Sequence, residues 1–384
     1  MCIFRRIPRT DKEPRGYSEG HYTFLDRSAR PQAENVRELI NCWFSRYPID
    51  GKKELRNRMN SGDERQFESA FFELFLHEML SELHCGIDIC PLPAVEKGKR
   101  PDFLVSHNVS NDFYLEAVNV TEKTDKSPAA EARMNLVYDI IERNLDSQDF
   151  WLSLRIEGAP RESPPARRLV EHLSRWLRSL EWESVTSDLK INGINRLPTY
   201  HFSHDIWRIE FTAHPKSESK RGEKGSRPIG MQTEAVWFED SGEGLKQAIK
   251  RKASRYGKLV KPYIIAVNLI SDYTEASEIS DALYGSVEAC DDCQEPRRLM
   301  DGAFTPKRNT RVSGVLVCSC VLPYNLAKST ACLYHNPWAR LPCPNALGVL
   351  PCALCCNEKG VGKRAGKSPR EILALPEDWP KSGR

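Results

Sequence analysis

GKRPDFLVSHNVSNDFYLEAV, residues 98–118, is the stretch whose reading decides the fold. It holds two short apolar runs, each with one acid. Asp102 follows Pro101 and heads Phe103-Leu104-Val105, and Glu116 stands between Phe113-Tyr114-Leu115 and Ala117-Val118. The turn-rich SHNVSND between the runs makes the pattern strand, turn, strand. A carboxylate inside an apolar strand is costly unless something cationic meets it. Two of them on neighbouring strands point to a shared cation, and Mg²⁺ is usually held by one or two carboxylates together with substrate phosphate oxygens. The plain alternative is two acids at strand ends, in water or in salt bridges.

Upstream, Ser61-Gly62-Asp63-Glu64 fits a capping box. It opens a helix over about 62–84, ERQFESAFFELFLHEMLSELH, on which Phe71, Phe72, Phe75, Leu76, Met79 and Leu83 make a broad apolar arc. Glu73 and His77 lie one turn apart at the edge of that arc, and Leu80 beside Glu73 half-buries the acid. Pairing with His77 is the simple fate of such an acid. GIDIC, 86–90, reads as a strand, so the local order is helix, strand, strand, strand. Residues 1–34, rich in Arg and Pro, read as an arm, and 37–48 as a short amphipathic helix.

Downstream, the pattern gives a helix over 132–145, a strand over 150–158, a helix over 163–182 starting after Pro165, and a strand over 204–215. KSESKRGEKGSRP, 216–228, is a charged Gly/Ser loop. The next informative segment is LKQAIKRKASRYGK, 245–258, a helix with Gly257 as its stop. Leu245, Ala248, Ile249, Ala253 and Tyr256 cover one face, and Lys252 falls inside it. A lysine so placed either snorkels to the surface or has a carboxylate or a substrate at its tip. PYIIAVNLI, 262–270, is a strand buried on both faces, and RVSGVLVCSCVL, 311–322, is another apolar run of strand type. The tail, 357–384, is basic, Gly/Pro-rich and flexible.

The chain has 384 residues, enough for a large core or two domains, and a net charge of +3, so only local clusters can argue for nucleic acid. Its longest apolar run, 314–324, is too short to span a membrane. The N-terminus lacks the apolar core of a signal peptide, which places the protein in the cytoplasm with its thirteen cysteines reduced. Lys250, Arg251, Arg255 and Lys258 form a basic cluster suited to phosphates, or simply a solvated helix face.

An acid on an early helix, then Pro-Asp on one strand and Glu on the next, resembles the PD-(D/E)xK nuclease superfamily, the restriction-endonuclease-like fold. The matching residues are Glu73, Pro101-Asp102 and Glu116. The resemblance implies an α/β core, a mixed central sheet flanked by helices, with a long insertion and a C-terminal extension. The divisions are then 1–61 as arm and short helix, 62–120 as the first half of the core, 121–240 as the insertion, 241–356 as the second half with the cysteine-containing extension, and 357–384 as the tail. It also implies a metal-dependent nuclease acting on DNA, with Asp102 and Glu116 as ligands of Mg²⁺ or Mn²⁺ and Glu73 as a third ligand or an orienter of metal-bound water. His77 would stand behind them. The family has Glu-x-Lys, whereas this chain has Glu116-Ala117-Val118, so Val118 occupies the lysine's place. Members are known in which a basic residue of the following helix takes over, and Lys252 is the candidate. If Lys252 does not reach the acids, the chain is an inactive relative that binds nucleic acid or a protein partner. A homodimer is compatible with either reading.

Cys290-Asp-Asp-Cys293 and Cys352-Ala-Leu-Cys355 are two CxxC pairs, further apart than in a compact zinc ribbon. A structural Zn²⁺ on these four is the lesser expectation, against reduced and mostly buried thiols.

Overall fold

The computed structural model describes residues 1–91, 100–107, 112–121, 127–222, 227–234, 241–256, 259–270, 276–288, 297–355 and 361–381. The chain divides into two compact units. One comprises Met1–Pro14, Gly20–Thr124 and Asp240–Arg384, and the other Arg15–Glu19 and Asp125–Glu239.

The N-terminal part of the first unit is a helical layer: α1 (His21–Arg27), α2 (Pro31–Arg46), α3 (Ile49–Met59) and α4 (Glu64–Glu82). Residues 1–34 are therefore not a free arm, and the short helix expected at 37–48 is a longer one beginning at Pro31. Ile3, Phe4, Phe24 and Leu25 are buried. Their few apolar side chains, diluted among Arg and Pro, were enough to dock the segment. α4 is capped by Asp63, whose side chain accepts from the Arg65 and Gln66 amides, rather than by Ser61. It is buried nearly all round, because α1, α2 and α3 pack against it as well as the sheet. Its buried Glu78 survives there by pairing with Arg46 of α2.

Three strands follow, β1 (Gly86–Ile89), β2 (Phe103–Ser106) and β3 (Phe113–Thr121), paired antiparallel in sequence. The chain then enters the second unit. Here α5 (Pro128–Asn144), β4 (Phe150–Glu157), α6 (Ala166–Arg178), α7 (Trp182–Asn192), β5 (Thr199–His204), β6 (Trp207–Pro215) and β7 (Ile229–Glu234) form a separate α/β layer pair. Among the described residues its strands run in the order β5-β6-β4-β7, and one face packs with the helices into a core that includes Leu152, Leu154, Leu169, Leu173, Trp207 and Phe211. The helix expected over 163–182 is α6, ending at Arg178, while α7, β5 and β7 were not anticipated.

Back in the first unit come α8 (Ser241–Ala253), β8 (Tyr263–Ile270), α9 (Ala276–Tyr284), β9 (Val287–Glu288), β10 (Arg297–Arg298), β11 (Gly314–Ser319), β12 (Thr330–His335), β13 (Cys352–Cys355), β14 (Val361–Arg364) and α10 (Pro369–Ile372). Among the described residues, eight strands of the first unit make one mixed sheet, β1-β2-β3-β8-β11-β12-β13-β14, with β3, β8 and β11 parallel at its centre. β8 is buried on both faces, as its nearly all-apolar run requires. One face meets α4: Phe103, Phe113, Leu115, Ala117, Ile264 and Ala266 join the helical layer's core. The other meets α8 and α9 through Tyr114, Val118, Ile265 and Val267. The tail is ordered over 361–381, with Leu373, Leu375 and Trp379 buried and the Trp379 indole donating to the Pro323 carbonyl. Among the described residues, no helix is long and apolar enough to cross a membrane.

Candidate active site

Alternation along β3 decides where each acid points. Odd residues face α4 and even residues face α8, so Glu116 stands on the α8 side with Tyr114 and Val118. It is only 1% exposed. Such a group needs donors, and α8 with the turn after it supplies three. Lys252 Nζ lies 2.6 Å from Glu116 Oε1, and Arg255 Nη1 lies 3.3 Å from the same oxygen. The Tyr256 hydroxyl donates to Oε2. Lys252 therefore does not snorkel: its side chain is 12% exposed and ends on the carboxylate.

The end of α8 is held in place from behind. The Tyr263 hydroxyl, 3.4 Å from the Lys252 carbonyl, donates to it. Arg311 donates to the Tyr256 carbonyl across 2.5 Å. The rings of Tyr256 and Tyr263 meet edge to face at 5.7 Å. These contacts fix the geometry of Lys252 relative to a strand 136 residues earlier.

Asp102 sits at the head of β2. Its Oδ2 accepts from the Ala117 amide at 2.7 Å, which ties it to the residue beside Glu116. Among the described residues it has no cation paired with it. Burial, and then the negative charges of Glu116 and Glu73, push its carboxyl up to about 8, and the Ala117 hydrogen bond and Lys252 only partly oppose this. Glu73 on α4 is also raised, chiefly by burial, although Arg58 opposes the shift. Arg58, on α3, forks onto both Glu73 oxygens, with Nη1 to Oε1 at 2.6 Å. Its Nε lies 2.9 Å from Glu54 Oε1.

Glu73 is thus paired with Arg58 and not with His77. His77 lies against the Tyr47 ring at 4.9 Å, its Nδ1 buried with no hydrogen-bond partner among the described residues, and burial lowers its pKa to about 4. The three acids share one electrostatic neighbourhood, since each of Glu73 and Asp102 feels the Glu116 charge. They do not close into a tight cage. Among the described residues, the one trio of His, Cys or acid side chains with ligand atoms all within 4.8 Å of one another is His21, Glu64 and Glu68, at the starts of α1 and α4. There Glu64 already accepts from the His21 amide and pairs with its ring, as a helix-capping acid does.

The residues that could hold a metal here are Asp102, Glu116 and Glu73. Their donors are all oxygen, which suits Mg²⁺ or Mn²⁺. Glu73 and Glu116 have cations of their own, while Asp102 has no ion-pair partner among the described residues and is pushed up to about 8, so its carboxyl keeps a proton that a bound cation would displace. Asp102 and Glu116 are the residues that would hold the ion.

Of the basic cluster, Lys250 and Arg251 are exposed on the outer side of α8, and Arg255 faces Glu116 while remaining 42% exposed. Lys258 and Gly257 lie outside the described residues. So do Cys290 and Cys293, together with the Cys355 side chain. Cys352 is buried in β13. Nearby, burial pushes the thiols of Cys332 and Cys343 up to about 11 and about 12, which keeps them protonated.

Arg58 and Tyr256 were missed as site residues. Tyr256 had a usable signal: it lies one helical turn beyond Lys252, on the same face. Arg58 had none, because its partner sits on another helix. Comparison with family models, with curated proteins and with solved structures finds no match to this chain.

Proposed function

We propose that the protein is a metal-dependent nuclease of the PD-(D/E)xK type, acting on DNA in the cytoplasm. The observation that carries this reading is the 2.6 Å contact between Lys252 Nζ and Glu116 Oε1, beside Asp102, which has no ion-pair partner among the described residues. The order α4-β1-β2-β3-α8-β8, with β8 parallel to β3, supports a restriction-endonuclease-like core in which the second unit is the insertion. Val118 packs into the apolar layer under α8, and Lys252 brings an ammonium to that same layer from the helix.

When bound, Mg²⁺ or Mn²⁺ lowers the pKa of a water and polarises the phosphate. The chain's own residues do the rest. Asp102 and Glu116 supply the anionic oxygens. Lys252 holds a proton-rich ammonium beside Glu116, where it can orient an attacking water or meet charge growing on the phosphate. Glu73, with both oxygens on Arg58, orients water rather than ligating directly. Lys250, Arg251 and Arg255 on the α8 segment meet backbone phosphates and make affinity salt-dependent.

The test is cleavage of DNA by purified protein with Mg²⁺ or Mn²⁺. Activity should vanish in EDTA, and Asp102→Ala and Glu116→Ala should each lower it by about three orders of magnitude or more. Lys252→Met should remove most of it. Full activity in both acid variants ends the proposal. A second reading, a non-catalytic nuclease-fold module that binds DNA, is favoured by one observation: in this arrangement both Glu116 oxygens are engaged by donors. Metal-independent DNA binding without cutting would select it.

A further inference from the structure

Tyr256 is buried, and its hydroxyl has two acceptors within reach, Glu116 Oε2 and the Arg100 carbonyl, the latter at 3.0 Å. A phenol carries one proton, so it serves one acceptor at a time. The first acceptor is a charged ligand candidate and the second a neutral carbonyl two residues before Asp102. Both lie within reach of one ring position, so the bond can pass between them by rotation about the C–O bond alone. The ring itself is held edge to face against Tyr263 and packs in the layer under α8.

We infer that Tyr256 is a proton-toggling positioning residue that competes with the divalent cation for Glu116, its hydroxyl resting on Oε2 in the metal-free protein and turning to the Arg100 carbonyl when the cation takes that oxygen. This rests on the nuclease reading, which assigns Glu116 as a ligand. The toggle makes metal entry cheap, because the displaced hydrogen bond is re-formed next door and not lost to an apolar wall. It also marks the Pro101-Asp102 segment, since the new bond anchors the residue that leads into the second ligand. The exchange is not even: a hydrogen bond to a carboxylate is worth more than one to a neutral carbonyl. The hydroxyl therefore weakly holds Glu116 against a cation.

The measurement is Mn²⁺ binding to the intact protein without DNA, read by the electron paramagnetic resonance of free Mn²⁺. The proteins compared are wild type, Tyr256→Phe and Asp102→Asn, with thermal melting in EDTA to confirm that each folds. Tyr256→Phe keeps the ring and its packing but removes the competing proton. Its Mn²⁺ Kd should fall about five- to tenfold, the gap between a charged and a neutral hydrogen bond. A residue that merely shaped Glu116 for the metal would instead raise Kd on removal. An unchanged or weaker Kd in Tyr256→Phe overturns the toggle and leaves the nuclease reading standing. Absence of Mn²⁺ binding by wild type, or equal binding by Asp102→Asn, overturns the nuclease reading itself. If Tyr256→Phe melts far below wild type, Tyr256→Met tests the same sign with an apolar side chain that cannot donate.

Discussion

In the first unit's sheet, Glu116 is 1% exposed and faces an ammonium, a guanidinium and a phenol that arrive on one helix and its following turn. In the second unit's sheet, Glu157 and Glu210 stand on the open face of β4 and β6, where Arg208 approaches Glu157 at 4.0 Å and His201 approaches Glu210 at 3.7 Å. The ingredients are alike: acids on strands, with bases beside them. The surroundings differ. The first pairing is built inside a core, where losing one partner leaves a charge that water cannot reach. The second is a solvated cross-strand pairing, with Arg208 72% exposed, and contributes little. The strand patterns carry the same contrast: β8 is buried along nearly its whole length, while β6 alternates buried and open residues. A carboxylate on a one-faced sheet is ordinary; a carboxylate in a two-faced sheet calls for an explanation.

The largest effect that should follow is on packing. Ile265→Ala on β8 should cost about 4 kcal/mol in urea unfolding, whereas Thr212→Ala on the open face of β6 should stay within about 0.5 kcal/mol. Equal costs would break the contrast at once. Next in size is the charge pair. Lys252→Met should destabilise by about 3 kcal/mol, because Glu116 is left buried with weaker partners, while Arg208→Met should stay within about 0.5 kcal/mol. If Lys252→Met proves neutral, the pair is not held in a dry setting.

A third effect is one of pH, and it isolates Asp102. Its carboxyl titrates at about 8 in the folded chain and near 3.9, roughly, when unfolded. Between those values the folded state holds a proton that the unfolded state has released, so this group's contribution to stability falls as pH rises from about 4 to 8. Asp102→Asn removes that dependence. Melting temperatures measured from pH 5 to pH 8 should therefore shift in favour of the variant as pH rises. Glu157→Gln in the second unit should track wild type throughout. A wild-type minus Asp102→Asn difference that is flat over this window would place Asp102 in water.

Much of the core was legible because it is local. The apolar arc of α4, the strand that carries Glu116 and the two-faced run of β8 each follow from residues adjacent in the chain. The buried positions expected on α8 (Leu245, Ala248, Ile249, Ala253 and Tyr256) are the ones that pack. The N-terminal segment was misjudged because composition averages over Ile3, Phe4, Phe24 and Leu25, whose burial depends on a helical layer that none of them announces. The tail misled for the same reason, through Leu373, Leu375 and Trp379. Arg58 with Glu73 was hidden because an exposed-looking arginine on one helix gives no sign of the acid it will fork onto in another.

Period, turn chemistry and the cost of an acid in an apolar strand were enough by themselves to nominate Asp102 and Glu116, and to ask what sits at the tip of Lys252. Only the folded chain could answer, because Lys252 and Glu116 are 136 residues apart and meet through β3–β8 pairing and the docking of α8 on that sheet. Local periodicity says which side of an element is buried. It does not say which other buried side it will face, and the charge balance of the site is set by that encounter.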